Sequence, residues 1–230
     1  MTQIYAHRGL HLHERENTTA AFAAAVELGV DGVELDVRRA REGALVVHHD
    51  AVLRGRRVAT TPREKLPPYV PTLAEALNVC RGVAVNVELK NSPRTGEDYD
   101  ASGRFVHDVV ATVRAARASE NVLFSCFDRS TCLQLRTLDA SIRVGWLLER
   151  RDNVIESLEW AREMGLDAVH PHVSKVSLGA VTLSRELGLG VNVWTVNTVK
   201  DLRAMVAFGV DSVITDEPAR AISLVEAARS

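Results

Sequence analysis

Short apolar runs rich in β-branched residues alternate along the chain with longer stretches in which apolar residues recur every three or four positions. The short runs predict strands at residues 3–7, 30–37, 84–89, 122–126, 143–148, 168–171, 190–195 and 212–215. The longer stretches predict helices at 18–28, 72–80, 103–118, 130–138, 154–164, 178–187, 199–208 and 218–228. Asn17 and Thr72 are suited to cap the first turns of their helices, and Pro218 suits a first helical position. A loose repeat reinforces the count. Glu27-Leu-Gly-Val-Asp-Gly-Val-Glu34 returns as Glu163-Met-Gly-Leu-Asp-Ala-Val-His170 and as Ala207-Phe-Gly-Val-Asp-Ser-Val-Ile214. Each copy reads as a helix ended by Gly, a short turn and a new strand.

One αβ corner built three times implies parallel strands joined by crossover helices. Eight such units favour a closed (β/α)8 TIM barrel, formed as a single domain over 1–230, rather than an open doubly wound sheet. One stretch breaks the alternation. Residues 44–49 read as an extra strand after the second barrel strand, and 53–70 follow as a polar loop with Pro62, Pro67 and Pro68 and no regular structure. That insertion is expected at the barrel mouth, as a lid.

At 230 residues and 46% hydrophobic, the chain can bury one large core. A formal net charge of −2 leaves no electrostatic footprint for nucleic acid or an anionic membrane. Cys80, Cys126 and Cys132 lack metal-ligand spacing, and their odd number argues against a disulfide framework. With no apolar run of membrane-spanning length and no room for a signal peptide before His7, the expectation is a cytoplasmic protein without stable membrane association.

The chemistry-bearing residues gather at one end of the expected barrel. Active sites in this architecture lie at the C-terminal ends of the strands. His7 and Arg8 end the first strand, Glu34 and Asp36 lie toward the end of the second, and Glu88 and Lys90 end the third. Trp194 closes the seventh, and Asp216 follows the eighth. Residues two apart on a strand share a face, so Glu34 projects with Asp36 and Glu88 with Lys90. Three converging carboxylates repel unless compensated. A hard divalent cation, Mg2+ or Ca2+, would resolve that; the bland reading pairs Glu34 with Lys90 and Asp36 with Arg8 as structural ion pairs. His7 and His49 are the candidate acid–base pair, with Asp50 orienting His49 or capping the next turn. His48, His107, His170 and His172 read as structural groups. Arg8 and Lys90 supply charge for a phosphodiester, and Trp194 is either an apolar wall for an alcohol or a core filler.

His7-Arg-Gly, Glu16-Asn17-Thr, Glu34-Leu-Asp36, His49-Asp50, Glu88-Leu-Lys90, Trp194-Thr-Val-Asn197 and Thr215-Asp-Glu-Pro218 together resemble the ordered signature of glycerophosphodiester phosphodiesterases over nearly the whole chain. The resemblance implies a (β/α)8 barrel that hydrolyses glycerophosphodiesters to sn-glycerol 3-phosphate and an alcohol. It implies His7 and His49 as catalytic residues, one divalent cation on Glu34, Asp36 and Glu88, and Arg8 and Lys90 at the phosphate. Glu16 would support the site, and Asn17 would cap the first helix. Arg15 stands where the family usually has Pro, and Ala51-Val-Leu-Arg-Gly-Arg-Arg57 replaces the usual run after the His-Asp pair. Two other readings compete. A lipid-headgroup phospholipase D/C-like enzyme would carry exposed apolar loops at the mouth, and 53–70 is largely polar. A catalytically silent phosphate-ligand-binding barrel has no need of all five of His7, His49, Glu34, Asp36 and Glu88.

Overall fold

In the computed structural model of the chain, residues 1–93 and 98–227 are described, and they form a closed barrel. Its eight parallel strands are β1 (Gln3–His7), β2 (Gly32–Arg39), β6 (Ala84–Leu89), β7 (Val122–Cys126), β8 (Arg143–Leu147), β9 (Ala168–His170), β10 (Gly190–Val193) and β11 (Ser212–Thr215). They pair in sequence order, and β1 closes the ring by pairing with both β11 and β2. Around them run α1 (Thr19–Leu28), α2 (Leu73–Val79), α3 (Arg104–Ala115), α4 (Arg129–Leu138), α5 (Val154–Glu163), α6 (Leu178–Leu187), α7 (Val199–Phe208) and α8 (Pro218–Ala227). This is the expected TIM barrel, and position 228, the expected end of the last helix, lies outside the described residues.

Strand alternation sorts each barrel strand into two chemistries. Val33, Leu35 and Val37 of β2 and Val85, Val87 and Leu89 of β6 join the apolar layer between strands and helices. Glu34, Asp36, Asn86 and Glu88 are the residues between them, so they project to the opposite face, into the barrel. α3 completes the same layer with Phe105, Val106, Val109, Val110 and Val113 at helical spacing.

The three repeated corners fold alike. Gly29, Gly165 and Gly209 each take positive φ, of 83°, 68° and 70°, which a glycine adopts without a Cβ clash. Two residues on, Asp31, Asp167 and Asp211 donate their backbone N–H to the carbonyls of Ile4, Val144 and Val191. Their carboxylates accept the N–H of those same three residues at 2.7, 2.8 and 2.7 Å. Each corner therefore clamps the incoming strand to the preceding one, which explains why the Asp recurs with the Gly. The second barrel strand accordingly starts at Gly32, two residues later than the apolar pattern implies, because Val30 and Asp31 belong to the corner.

The insertion departs from expectation. β3 (Leu45–Val47) runs antiparallel to the end of β2, as the extra strand was read, but the stretch after it is not structureless. β4 (Val52–Leu53) and β5 (Arg56–Arg57) make a hairpin across Arg54 and Gly55, both at positive φ. Single turns follow at Val58–Thr60 and Arg63–Lys65. Val58, Leu66 and Val70 pack with Ala40 and Val46 into a satellite core of their own. Arg15, at the place where Pro is usual, stacks 4.5 Å over Tyr69, and Arg54 lies 5.5 Å from the same ring. The basic run 54–57 is thus part of a folded element.

Candidate active site

β1 ends in a turn that demands its sequence. Gly9 has φ 85°, and a Cβ there would lie 2.8 Å from the backbone of Ala21, so no other residue fits. The turn brings the Arg8 N–H to Glu34 Oε2 at 3.1 Å and the guanidinium to Glu16 at 3.0 and 3.1 Å. Arg8 Nε also lies 3.4 Å from Asp36.

Glu34, Asp36 and Glu88 are all buried, and their carboxylate oxygens lie within 4.8 Å of one another. Lys90 Nζ bridges two of them, 2.8 Å from Asp36 and 2.5 Å from Glu88. The bland pairing is therefore half right: Arg8 does meet Asp36, but Lys90 serves Asp36 and Glu88, and Glu34 is left with a backbone N–H and a histidine 3.9 Å away. The titration of the cluster follows. Burial opposes the charge of Asp36, yet Lys90 and Arg8 hold its carboxyl well below the usual range. Burial also opposes the charge of Lys90, and Glu88 with Asp36 overcomes it, so the ammonium stays charged. Burial followed by the charges of Asp36 and Glu88 pushes Glu34 well up. Counting Glu16 on Arg8, four acids share these two cations, and Glu34 is the one with neither in ion-pair contact.

Both candidate catalytic histidines have Nδ1 tied to a carboxylate. His7 Nδ1 lies 2.6 Å from Asp216 Oδ1, and His49 Nδ1 lies 2.8 Å from Asp50 Oδ1. That leaves Nε2 of each ring outside these hydrogen bonds, with that of His7 3.9 Å from Glu34 Oε2. His49 is held from behind, because Arg38 Nε and Nη2 both donate to its carbonyl, at 2.9 and 2.6 Å. His7, Arg8, Glu34, His49, Glu88 and Lys90 line one side of a pocket of about 240 Å3. Phe127, Leu147, Trp194 and Ile214 line the other side. Trp194 sits edge-on to Phe127 and donates its indole N–H to the His170 carbonyl at 2.8 Å, so it is a fixed wall of that pocket.

A sequence model of the glycerophosphoryl diester phosphodiesterase family matches residues 7–220. The chain belongs to this family. It is 26% identical to a glycerophosphodiester phosphodiesterase of Caldanaerobacter subterraneus subsp. tengcongensis, covering 97% of this chain and 98% of that one. It is 27% identical to a glycerophosphodiester phosphodiesterase of Bacillus altitudinis, over 98% and 99% of the two chains. Among solved structures, a glycerophosphodiester phosphodiesterase from Parabacteroides distasonis superposes with a TM-score of 0.87 at 22% identity, over 100% of this chain and 98% of that one. An Oleispira antarctica phosphodiesterase, solved with its product sn-glycerol-3-phosphate, gives 0.86 at 23% identity, over 98% and 97%.

Within this phosphodiesterase barrel, one expected role is corrected. Asn17 does not cap α1. Thr18 does, its hydroxyl accepting the Ala21 N–H. Asn17 is buried at φ 56°, and its side chain grips Asp36 instead, Nδ2 donating to Oδ2 at 2.7 Å and Oδ1 accepting the Asp36 N–H at 3.3 Å. Glu16 and Asp50 lie behind the pocket, on Arg8 and His49 respectively. Sequence reasoning gave no role to His11, Arg38 or Asn197. His11 Nε2 lies 3.1 Å from the same Asp216 oxygen that His7 uses, and Asn197 donates to the other oxygen at 2.5 Å. Burial opposes the charge of Asp216, but those two histidines hold its carboxyl far below the usual range. Asp216 is already placed at the rim by the sequence, and Asn197 stands in a matched motif where it could have been found; nothing in the sequence singles out His11.

Proposed function

We propose that this chain hydrolyses small, water-soluble glycerophosphodiesters to sn-glycerol 3-phosphate and an alcohol, using one divalent cation, Mg2+ or Ca2+. One observation carries the reading: two histidines, two cations and two of three buried carboxylates line a single pocket whose other wall is apolar. The cation fits the residues present. Glu34, Asp36 and Glu88 offer a purely oxygen donor set, and a hard cation among them would supply the positive charge that lets Glu34 ionise beside the other two. When bound, such a cation offsets the charge of phosphate oxygens and favours in-line attack.

The chain's own residues do the rest. Arg8, with Nη1 held by Glu16 and Nε facing Asp36, offers the phosphate the rest of its guanidinium, and Lys90 offers a point charge. One of His7 and His49 removes the proton from the attacking hydroxyl, supplied by water or by the substrate's neighbouring hydroxyl. The other gives a proton to the leaving alkoxide as the P–O bond breaks; where the neighbouring hydroxyl attacks, water then opens the cyclic phosphate to glycerol 3-phosphate with the two histidine roles exchanged. Phe127, Leu147, Trp194 and Ile214 exclude water beside the alcohol portion. Supporting this reading, the Oleispira relative of like fold was solved with sn-glycerol-3-phosphate as its product. A cytoplasmic setting accords with three buried free cysteines, Cys80, Cys126 and Cys132. Among the described residues no helix is long and apolar enough to cross a membrane.

The test is release of glycerol 3-phosphate from glycerophosphocholine, with and without EDTA. Turnover lost on chelation and regained with Mg2+ or Ca2+ is expected, as is loss of turnover in His7→Ala and in His49→Ala with the fold retained. No turnover of any glycerophosphodiester with metal present sinks the reading, and near-normal activity of either variant sinks the acid–base assignment.

A further inference from the structure

The interior of a TIM barrel is ordinarily a packed stack of branched apolar side chains. Here a second cavity, of about 150 Å3, runs beneath the catalytic pocket, with Tyr5, Asn86, His170, Asn192 and Ser212 on its wall. Its outer end lies among Gln3, Arg143 and Asp167, exposed residues at the N-terminal ends of β1, β8 and β9, opposite the catalytic rim. Asn86 and Ile214 line both cavities, so the floor of one is the ceiling of the other.

Several polar atoms at this boundary are buried with no hydrogen-bond partner among the described residues: both amide atoms of Asn86, Nδ1 of His170 and Oγ of Ser125. These residues are 2%, 0% and 0% exposed. Ser125 stands two residues along β7 from the cavity-lining Leu123 and in register with Glu88, so it belongs to the same inner face. The tautomer of His170 is fixed by its neighbours. The Ser212 hydroxyl donates to Asn192 Oδ1 at 2.7 Å, which turns the Asn192 NH2 toward His170 Nε2, 3.0 Å away. Nε2 therefore accepts, and the ring proton sits on the partnerless Nδ1. Gly145 leaves the space for this ring, since a Cβ there would lie 2.3 Å from His170 Nε2.

A buried polar atom without a partner costs about 1–3 kcal/mol. Asn86 and His170 line this hollow, and water there satisfies their three unpartnered atoms together, each molecule needing only about 10–15 Å3. We propose that the barrel axis is a water-filled shaft, open at the N-terminal face, which hydrates the catalytic floor from behind, with Asn86 as the contact between shaft and site. Beside the apolar Leu123, Ala168 and Ile214, the shaft wall offers only single donors and acceptors and keeps its charged groups at the outer end, so its occupant is water. A substrate seated at the rim closes the front entrance, and the shaft then remains as the route by which water reaches the floor. That supply role rests on the phosphodiesterase reading above; the hydration does not.

A high-resolution crystal structure of the wild-type protein tests the hydration. Ordered waters within hydrogen-bond distance of the Asn86 amide, Ser125 Oγ and His170 Nδ1 are expected. A dry cavity, or one that takes up xenon, overturns it. Long-range 15N–1H spectra read the tautomer independently, and a ring proton on Nε2 of His170 breaks the chain of inference. For the supply role, Gln3→Phe plugs the outer mouth and Ala168→Leu narrows the shaft. In whichever folds and closes the shaft crystallographically, kcat should fall several-fold at unchanged KM. Unchanged kcat with the shaft seen to be closed overturns the supply role and leaves the hydration standing. A hydrated shaft in a wild-type protein that turns over no glycerophosphodiester condemns the phosphodiesterase reading alone.

Discussion

Asn17 separates two roles that the sequence does not distinguish. As a helix cap it would be replaceable by Ser, which caps about equally well. As a clamp on Asp36 it is not, because Ser is too short to span both the carboxylate and the backbone N–H that Asn17 holds at 2.7 and 3.3 Å. Removing the amide forfeits a hydrogen bond to a buried charge, about 1.5–3 kcal/mol, and a neutral one, about 0.5–1.5 kcal/mol. Asp36 keeps Lys90 and Arg8, which favours the lower part of that range. Non-glycine residues other than Asn and Asp also tolerate φ 56° poorly, adding about 1 kcal/mol. Asn17→Ser and Asn17→Ala should each lose about 3 kcal/mol, a fall in Tm on the order of 10 °C for a chain of this size.

Urea unfolding followed by far-UV circular dichroism measures the difference. Thr18→Ala, which removes the true cap, should lose only about 1–2 kcal/mol. Asn17→Ser indistinguishable from wild type, or Thr18→Ala more damaging than Asn17→Ala, would refute the clamp.

Glu88→Gln should weaken Mg2+ or Ca2+ binding in calorimetry by at least about tenfold, the loss seen even for outer-shell changes at metal sites; an unchanged affinity contradicts the assignment of Glu88 as a ligand. His170 is held neutral by burial, its pKa pushed down to about 3 from 6.5. Between those values the unfolded chain binds the extra proton, so stability falls as pH drops from about 6.5 toward about 3. His170→Gln should therefore flatten that acid limb by up to one proton, and an identical limb in wild type and variant would show that the ring is already charged when folded. The two carboxylates behind the histidines differ in setting: the Asp216 side chain is 32% exposed and held by three side chains, whereas that of Asp50 is 71% exposed on one. Asp216→Asn should lower kcat on the order of a hundredfold and Asp50→Asn less than about tenfold, and equal effects would deny this asymmetry.

The sequence carried the barrel because its two periods and its Gly–Asp corners are local signals. Asp31, Asp167 and Asp211 each act on the strand just before them, within a window that a repeat can reveal. The hairpin at Val52–Leu53 and Arg56–Arg57 was illegible for the converse reason. Two-residue strands have no period, and the residues that anchor this hairpin and its following turns, Ala40 and Val46, lie before them in the chain. The cluster of Glu34, Asp36 and Glu88 was readable from strand parity alone. His11 was not, because its partner lies 205 residues away and its loop has no pattern to place it.

The site and the shaft share one physical consequence. Glu34, Asp36, Glu88, Lys90, Asn86, Ser125 and His170 are all buried or nearly so, in a fold whose interior could have been filled with Val, Ile and Leu. Replacing buried charge with apolar side chains is commonly neutral or stabilising, so the polar column adds little to stability by itself. Two terms offset its burial. Lys90 and Arg8 pair with Asp36 and Glu88, and a cation held at the cluster would add binding free energy to the folded state by mass action. Water in the shaft satisfies the neutral groups below. With both proposals granted, the polar column is accommodated as a hydrated, cation-binding unit. The apolar layer outside the strands, with Val33, Leu35, Val85 and Val87 wholly or almost wholly buried, must supply the stability that lets the barrel carry it.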